Sequence, residues 1–580
     1  MRTLLLHPED SPRRGPWSGQ HWDLIVDLGK SSLFSEEEWR SRFHCPILRA
    51  ETFRAGVADA RMVHQILSAG RGRLIDEEGI DWWVLISLFV APEVFSLLAL
   101  KRIASEIGSK SEMWATRRGE LVNLLESLLD ASIRTFASSP AERLRVRTSH
   151  YANLIRHFSL AQLTEILLDK YDSGYRWRSR LSPPPLRCSS PVVLLPSAYG
   201  NVSRMASAYA QMLPGQSFLL IATRKSAKQF PLAANIQVRD LASYAKGTFP
   251  ASEIEALSSR WTKLKGELQS MPDLRLLERA GVLNRFPRWI RDGLCARNAW
   301  RAVLDREPVC GVLCGDDSNL FTRLPVLLGA GRGIPTVDFH HGALDGRYLL
   351  KELPCDLYLA KSEMEHDYLL RVCGLPAERV AIGAPAETGS PRKTGETGRT
   401  FAIFFSEPYE VAGMRAEEVY REILPLLVRV ARANGLGVSV KLHPFESSLQ
   451  RQKIIRDIVG SPDAKNIAVI DGPLSPELMS RARFGLTVES TTVIDCLVNG
   501  VCCFLCGWLS LSPYEYARQY ARFGVGEVLD CASQIETIPR RLADFESKPA
   551  RRCELAPTVD PEALRQWLTL RPAASMRSAS

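Results

Sequence analysis

Val438-Ser439-Val440-Lys441-Leu442-His443-Pro444 is a strand-length apolar run that ends in a cation, an imidazole and a proline. Pro444 stops the strand, and Glu446 is expected to open the next helix. Apolar runs of similar length recur at Phe401–Phe405, Ile467–Ile470, Phe484–Val488 and Val501–Leu505. Helical periodicity fills the intervals, at about Ala416–Ala433, Glu446–Ile458, Glu477–Ala482 and Thr492–Asn499. Strands that alternate with helices must pair in parallel through right-handed crossovers. Residues from about 400 to 530 therefore read as a Rossmann-like α/β domain, with its reactive groups at the carboxyl ends of the strands.

The same logic extends upstream. Pro191–Pro196 reads as an apolar strand, Ser197–Asn201 as a small-residue turn, Ser203–Met212 as a helix and Ser217–Ala222 as a second strand. Mostly polar helical sequence fills Ser252–Asp305. Cys310–Cys314 then leads into a helix around Phe321–Leu328, followed by strands at Thr336–Phe339 and Leu357–Leu359. Arg180–Ser190, with three prolines, reads as a linker, and Thr388–Thr400 as a Gly/Ser/Thr/Lys-rich hinge. The expected organisation is an N-terminal α/β region over 1–185, mostly helical after residue 55, and Rossmann-like domains over 186–395 and 396–560. A tail over 561–580 completes it. The fold class is α/β, with two Rossmann-like domains facing a cleft.

In the N-terminal region, Thr3–His7, Trp22–Asp27, Pro46–Leu48 and Met113–Thr116 read as strands. Val57–Leu67, Phe95–Ile107, Arg118–Phe136 and Arg143–Tyr171 read as helices. Trp82–Leu100 is almost wholly apolar and nearly long enough to span a bilayer. Pro92 and Glu93 near its centre argue instead for a buried strand or helix followed by a core helix.

At 580 residues the chain is too long for one core, and its 45% hydrophobic and 24% charged residues are those of a globular protein. The net charge of +9 is scattered, and no Lys/Arg block resembles a nucleic-acid arm. A basic balance suits anionic ligands or an anionic membrane face. The N-terminal apolar run is too short for a secretory signal, and thirteen cysteines lie mostly in apolar runs. Both point to a reducing cytoplasm, with peripheral contact at the inner membrane face left open. Cys502-Cys503-x-x-Cys506 has no second cluster at ligand spacing, so a packed strand is expected rather than a metal site.

Several strand ends carry chemistry. Lys441 and His443 beside a helix start make a site for a diphosphate. At the next, Glu489 precedes Ser490, Thr491 and Thr492, which either cap a helix or hold phosphate through their backbone N–H groups. Glu489 is placed to meet ribose hydroxyls or orient a donor sugar, and Ser406-Glu407 to meet a base or ribose. In the preceding domain, Thr336–Phe339 runs into His340-His341-Gly342. Alternation along a strand lets only one histidine face the cleft, and Gly342 favours His341 as a general base. Asp345 is an alternative base. Asp316 or Asp317 contacts the acceptor or orients His341, unless Asp317 and Ser318 simply cap the next helix. His7–Trp17 is an unusual polar loop after a strand, a candidate contact for an anionic acceptor.

His341-Gly342, Lys441-Leu442-His443-Pro444 and Glu489-Ser490-Thr491-Thr492 together resemble two-domain glycosyltransferases of the GT-B type. The resemblance covers roughly 190–530. It points to bacterial capsule and surface-carbohydrate transferases, with kinship to CDP-glycerol glycerophosphotransferases and bacterial sialyltransferases. It implies that His443, Pro444, Ser490 and Thr491 hold the donor's phosphates and that His341 is the base. It also implies a nucleotide-sugar substrate, no further cofactor, no metal and a glycan or lipid-linked acceptor. The acidic-acidic-Gly acceptor motif of the sialyltransferases is missing, with Asp345-Gly346 and Asp471-Gly472 as partial matches. Rival readings are a UDP-N-acetylglucosamine 2-epimerase-like enzyme, a glycerophosphotransferase and an inactive scaffold in polysaccharide export.

Overall fold

Among the described residues of the computed structural model every strand pairing is parallel, and the eighteen strands there fall into three sheets. The structure describes the chain except residues 9, 29–33, 35, 50–53, 109–110, 137–147, 149–159, 173, 184, 229, 248, 351–353, 387–397, 410–413, 445, 473, 548–556 and 571–580. Most of the expected hinge, much of the expected helix at 143–171 and the polar end after Pro572 lie outside the described residues.

The first sheet holds β1 to β5, at Arg2–Leu6, Leu24–Asp27, Ile47–Arg49, Glu112–Ala115 and Arg134–Thr135, in the order 3-2-1-4-5. The second holds β6 to β12, at Val192–Ser197, Ser217–Ala222, Ile236–Asp240, Val309–Cys314, Thr336–Phe339, Leu357–Ala360 and Val380–Ile382, in the order 12-11-10-9-6-7-8. The third holds β13 to β18, at Phe401–Phe405, Gly437–Lys441, Ile467–Ile470, Ala482–Thr487, Cys502–Cys506 and Glu527–Leu529, in the order 15-14-13-16-17-18. In each sheet the first strand sits inside, with the second and third on one flank and the fourth on the other. That doubly wound order creates a crevice at the carboxyl ends of strands one and four. The switch points are β1/β4, β6/β9 and β13/β16.

The central strands are buried on both faces, as in parallel sheets covered by helices, while the edge strands are partly exposed. In β13, Ala402 and Phe404 belong to one core while Ile403 and Phe405 belong to another. The apolar stretch from Trp82 becomes two buried helices, Trp82–Ser87 and Ala91–Ile107, with Pro92 in the first turn of the second. Trp83 stacks on Phe286 (5.5 Å, 24°), which stacks in turn on Trp261 (4.0 Å, 6°), so these rings tie the N-terminal region to helices Ala251–Leu268 and Phe286–Arg306. Arg49 pairs with Glu418 at 3.0 Å on the far side, which ties it to the third sheet's domain as well. No helix among the described residues is long and apolar enough to cross a membrane. The described cysteines are free thiols, all buried except Cys310 and Cys531, and Cys502–Cys506 is a packed strand.

Three expectations change. The helix read over Arg118–Phe136 ends at Leu129, where Asp130 turns left-handed (φ 47°) and the chain enters β5. Glu446 lies in a turn, and its helix begins at Ser448. The segment 561–580, read as a tail, contains the helix Pro561–Thr569, whose Leu564 and Leu568 are buried against the second sheet. That docking requires Gly311, because a β-carbon there would lie 2.1 Å from the Leu568 carbonyl oxygen. Gly311→Ala is therefore expected to destabilise the fold by about 1–3 kcal/mol or more, read as a fall of several degrees in thermal midpoint. An unchanged midpoint would refute the docking.

Candidate functional site

The second and third sheets turn their carboxyl strand ends toward one another. At the end of β10, His341 Nδ1 lies 3.0 Å from the Gly315 carbonyl oxygen, and the His341 backbone N–H donates to the same oxygen at 3.2 Å. A carbonyl can only accept, so the ring proton sits on Nδ1 and Nε2 keeps its lone pair. Gly315 is fixed by crowding: a β-carbon would meet Phe339 at 2.7 Å and Val202 at 2.9 Å. Burial lowers the His341 pKa, opposed by the Asp316 carboxylate and the Gly315 bond. Asp316 is buried, which raises its own pKa, and it accepts from Ser318 Oγ at 2.6 Å. His341 is therefore a neutral imidazole with its free nitrogen defined by the backbone.

The two histidines do not diverge. Their rings stack at 4.8 Å and 27°. β10 ends at Phe339, so strand alternation no longer governs residue 340. The Gly342 N–H donates to His340 Nδ1 at 3.1 Å, leaving the His340 proton on Nε2. Lys361, just past the end of β11, donates to the carbonyls of His340 (2.5 Å) and Gly342 (3.1 Å) and pairs with Glu365 (3.0 Å). It thereby pins the loop. Asp316, His340 and His341 bring ligand-type atoms within 4.8 Å. With Nδ1 accepting and Nε2 protonated, however, His340 offers a metal no lone pair as arranged. Asp317 is not at the cleft; it forms a buried 2.8 Å ion pair with Arg347, and Asn319 rather than Asp317 or Ser318 caps the next helix.

Across the cleft, Lys441 is buried at the end of β14 and donates to the Leu442 carbonyl at 2.6 Å. Burial lowers its pKa, while Asp471 and Glu446 act to raise it. His443 is pushed down to about 4 by burial, then by Lys441 and by His341, which places the two imidazoles within electrostatic reach across the cleft. Arg204, on helix Gly200–Gln211, acts on His341, Lys441 and Asp495 alike. Glu446 holds the turn: it accepts from the His443 N–H (2.6 Å), Ser406 Oγ (2.7 Å) and Arg451 Nε (2.7 Å). Pro444, next to it, is exposed.

Two groups read as donor contacts have other roles. Ser406 is buried between Glu446 and the Tyr420 hydroxyl, which donates to it at 2.8 Å, so it supports the turn. The Glu407 carboxylate accepts from Thr487 Oγ1 (2.8 Å) and from the N–H groups of Val488 (2.9 Å), Glu489 (2.8 Å) and Ser490 (3.2 Å). It bridges the β13/β16 switch point and takes up the Ser490 amide, one of the three that the sequence offered to phosphate. The helix Thr492–Val498 is seven residues long, with Thr491 at its N-cap making no side-chain bond, while Ser490 Oγ accepts from the Thr492 N–H at 3.3 Å. Lys441 and His443 thus stand at the end of β14, where His341 acts electrostatically on His443, whereas Ser490 bonds the Thr492 N–H at the start of the short helix.

Asp345 and Glu489 form a second cluster. Asp345 accepts from Ser512 Oγ at 2.7 Å, and Glu489 accepts from Ser510 Oγ. Burial first, then Asp345, pushes Glu489 up to about 8. The folded state therefore holds a proton that the unfolded chain releases near pH 4.3. Stability on this account falls as pH rises from that value through about 8. Glu489→Gln carries no charge and removes the slope. Its thermal midpoint is expected to exceed wild type by a few degrees at pH 8 and to converge with it near pH 4; a variant less stable at pH 8 would contradict the burial of this carboxyl.

Arg204, Lys361, Glu446 and Asp495 were not singled out as site residues in the sequence. Lys361 follows a strand end and is accessible to the same rule; Arg204 and Asp495 lie inside helices and give no such signal.

No protein-family model matches the chain, and no curated protein matches it. Among solved structures, S. aureus MnaA with UDP is 13% identical, with a TM-score of 0.40 over 65% of this chain and 94% of its own. CalG4, the calicheamicin glycosyltransferase, is 14% identical, with a TM-score of 0.38 over 67% and 98%. The UDP-GlcNAc 2-epimerase of Methanocaldococcus jannaschii is 10% identical, with a TM-score of 0.39 over 65% and 99%. The fold class rests on topology: two Rossmann-order sheets facing across a cleft are the GT-B arrangement, and here a third such sheet stands beside them.

Proposed function

We propose that the chain is a metal-independent glycosyltransferase that moves a sugar from a nucleotide-sugar to an acceptor hydroxyl. The observation that carries this reading is the placing of His341 just past the end of β10 and of Lys441 and His443 at the end of β14, close enough for His341 to act electrostatically on His443. One imidazole has its basic nitrogen defined by Gly315; the other is carried by a turn whose His443 backbone N–H donates to Glu446, and Lys441 acts electrostatically on its ring. In the proposed reaction His341 Nε2 takes the proton of the acceptor hydroxyl as its oxygen attacks the anomeric carbon. The bond from that carbon to the diphosphate oxygen breaks, and its electron pair leaves with the nucleoside diphosphate. Lys441, His443 and Arg204 face the charge that develops there. The base is thus His341 rather than Asp345, with Asp316 supporting the imidazolium.

The acceptor in this reading is a surface glycan or a lipid-linked precursor, met at the inner face of the membrane. No cofactor beyond the nucleotide-sugar is called for. The test is turnover of a panel of nucleotide-sugars by the purified chain, with and without acceptor. Slow hydrolysis alone and faster transfer with acceptor are expected. Formation of an epimeric sugar nucleotide without acceptor would replace this reading with an epimerase, and absence of any turnover or nucleotide binding would leave a scaffold.

A further inference from the structure

A cavity of about 1000 Å³ lies where all three sheets meet. This is at the upper end of the roughly 300–1,000 Å³ of small-molecule sites. Its position is set by topology. His7 and Pro8 follow β1 and Gly119 follows β4, at the switch point of the first sheet. Glu407 follows β13 and Glu489 follows β16, at the switch point of the third. The second sheet contributes Asp345, from the loop after β10. Two doubly wound sheets therefore aim their ligand-binding crevices into one space, and the loop that opens at His7 becomes part of its wall.

The wall chemistry is uneven. Helix Ala91–Ile107 lines one side with Ala91, Phe95, Leu98 and Ala99, and the loops opposite supply Leu349 and Leu511. On the N-terminal side Arg102 grips Asp59 with bonds of 2.5 and 2.6 Å, Glu93 pairs with Arg285 at 3.2 Å, and Arg54 donates to the Trp508 carbonyl. At the other end stand three carboxyl groups, Asp345, Glu407 and Glu489. Burial raises the pKa of all three, Glu489 to about 8, so this end exchanges hydrogen bonds with a neutral hydroxyl and repels an anion once its carboxyls ionise.

We propose that this cavity binds the apolar chain of an alcohol-ended amphiphile, with its hydroxyl at Asp345 and Glu489. The proposal goes beyond the glycosyltransferase reading: His341 does not line this cavity, so the amphiphile is a ligand distinct from the sugar acceptor. The three-sheet cavity selects the apolar body, and at pH 8 the ionising carboxyl end disfavours fatty acids and alkyl phosphates of equal length.

The test is calorimetric titration of n-octanol, and separately of octanoate at pH 8, into the full chain without nucleotide. Saturable binding of one n-octanol is expected, with octanoate weaker by about tenfold or more. Ser96→Trp, on the cavity face of helix Ala91–Ile107, should remove n-octanol binding by filling the space; Phe95→Asp provides a second disruption by charge. Thermal midpoints near wild type establish that the variants fold. Equal binding of octanoate and n-octanol, no saturable n-octanol binding, or full binding by both folded variants would each overturn the proposal. Because no nucleotide is present, failure here with nucleotide binding intact removes only the cavity assignment. Binding of n-octanol by a chain that takes no nucleotide removes only the transferase reading.

Discussion

His341→Ala is expected to lower kcat for sugar transfer by about 10²–10⁴, the usual contribution of a positioned general base. Nucleotide affinity should change little, because His341 stands on the second sheet, opposite Lys441 and His443. The reasoning is geometric. Gly315 accepts from Nδ1, so the lone pair on Nε2 has one available direction. Burial keeps the ring neutral at physiological pH, which is the state a base requires. Steady-state rates at saturating donor, set against nucleotide dissociation constants, separate the two effects. A variant with wild-type kcat would remove His341 from the chemistry and leave Asp345 as the base.

His443→Ala is expected to reduce kcat/KM for the donor by about 10²–10³, the scale of losing one hydrogen-bond donor to developing negative charge. A pH signature accompanies it. His443 sits at about 4, so the free protein presents a neutral ring at pH 7. A bound diphosphate favours the protonated ring and raises that value. Donor affinity in the wild type should therefore strengthen as pH falls from 7 toward 5, and His443→Ala should flatten the dependence. An equally steep profile in the variant would assign the proton to another group.

The strand ends were the legible part of this site. Lys441, His443, His341, Asp316 and Glu489 all follow an apolar run, and a parallel sheet brings such positions to one edge. What sequence could not supply was the partner of each group. Glu407 reads as a free carboxylate on a loop, yet its Oε1 accepts from amides about eighty residues away. Glu446 reads as the start of a helix, but three donors converge on it in a turn. The pair at 340 and 341 stacks, against the alternation expected of a strand, because β10 ends at Phe339.

The unpredicted strands have a common cause. Ile236–Asp240, Val380–Ile382 and Glu527–Leu529 lie at sheet edges, are partly exposed, and lack the apolar run that central strands need. Conversely, the runs at Phe401–Phe405, Thr336–Phe339 and Ser217–Ala222 match their strands residue for residue because both faces are covered. The N-terminal region showed strands in its sequence, but its Rossmann order depends on the two-residue β5, hidden in what reads as helix. The cavity it closes is assembled from short pieces of all three sheets, and no single stretch of sequence carries it.

The central claim is that Lys441 and His443 hold the phosphates of a nucleotide-activated donor. Calorimetric titration of UDP, CDP, CMP and GDP into wild type and His443→Ala tests it most directly. One nucleotide should bind the wild type saturably at a single site, and its affinity should fall by at least about tenfold in the variant. Undiminished affinity in His443→Ala, or no binding of any of the four by the wild type, would contradict the account.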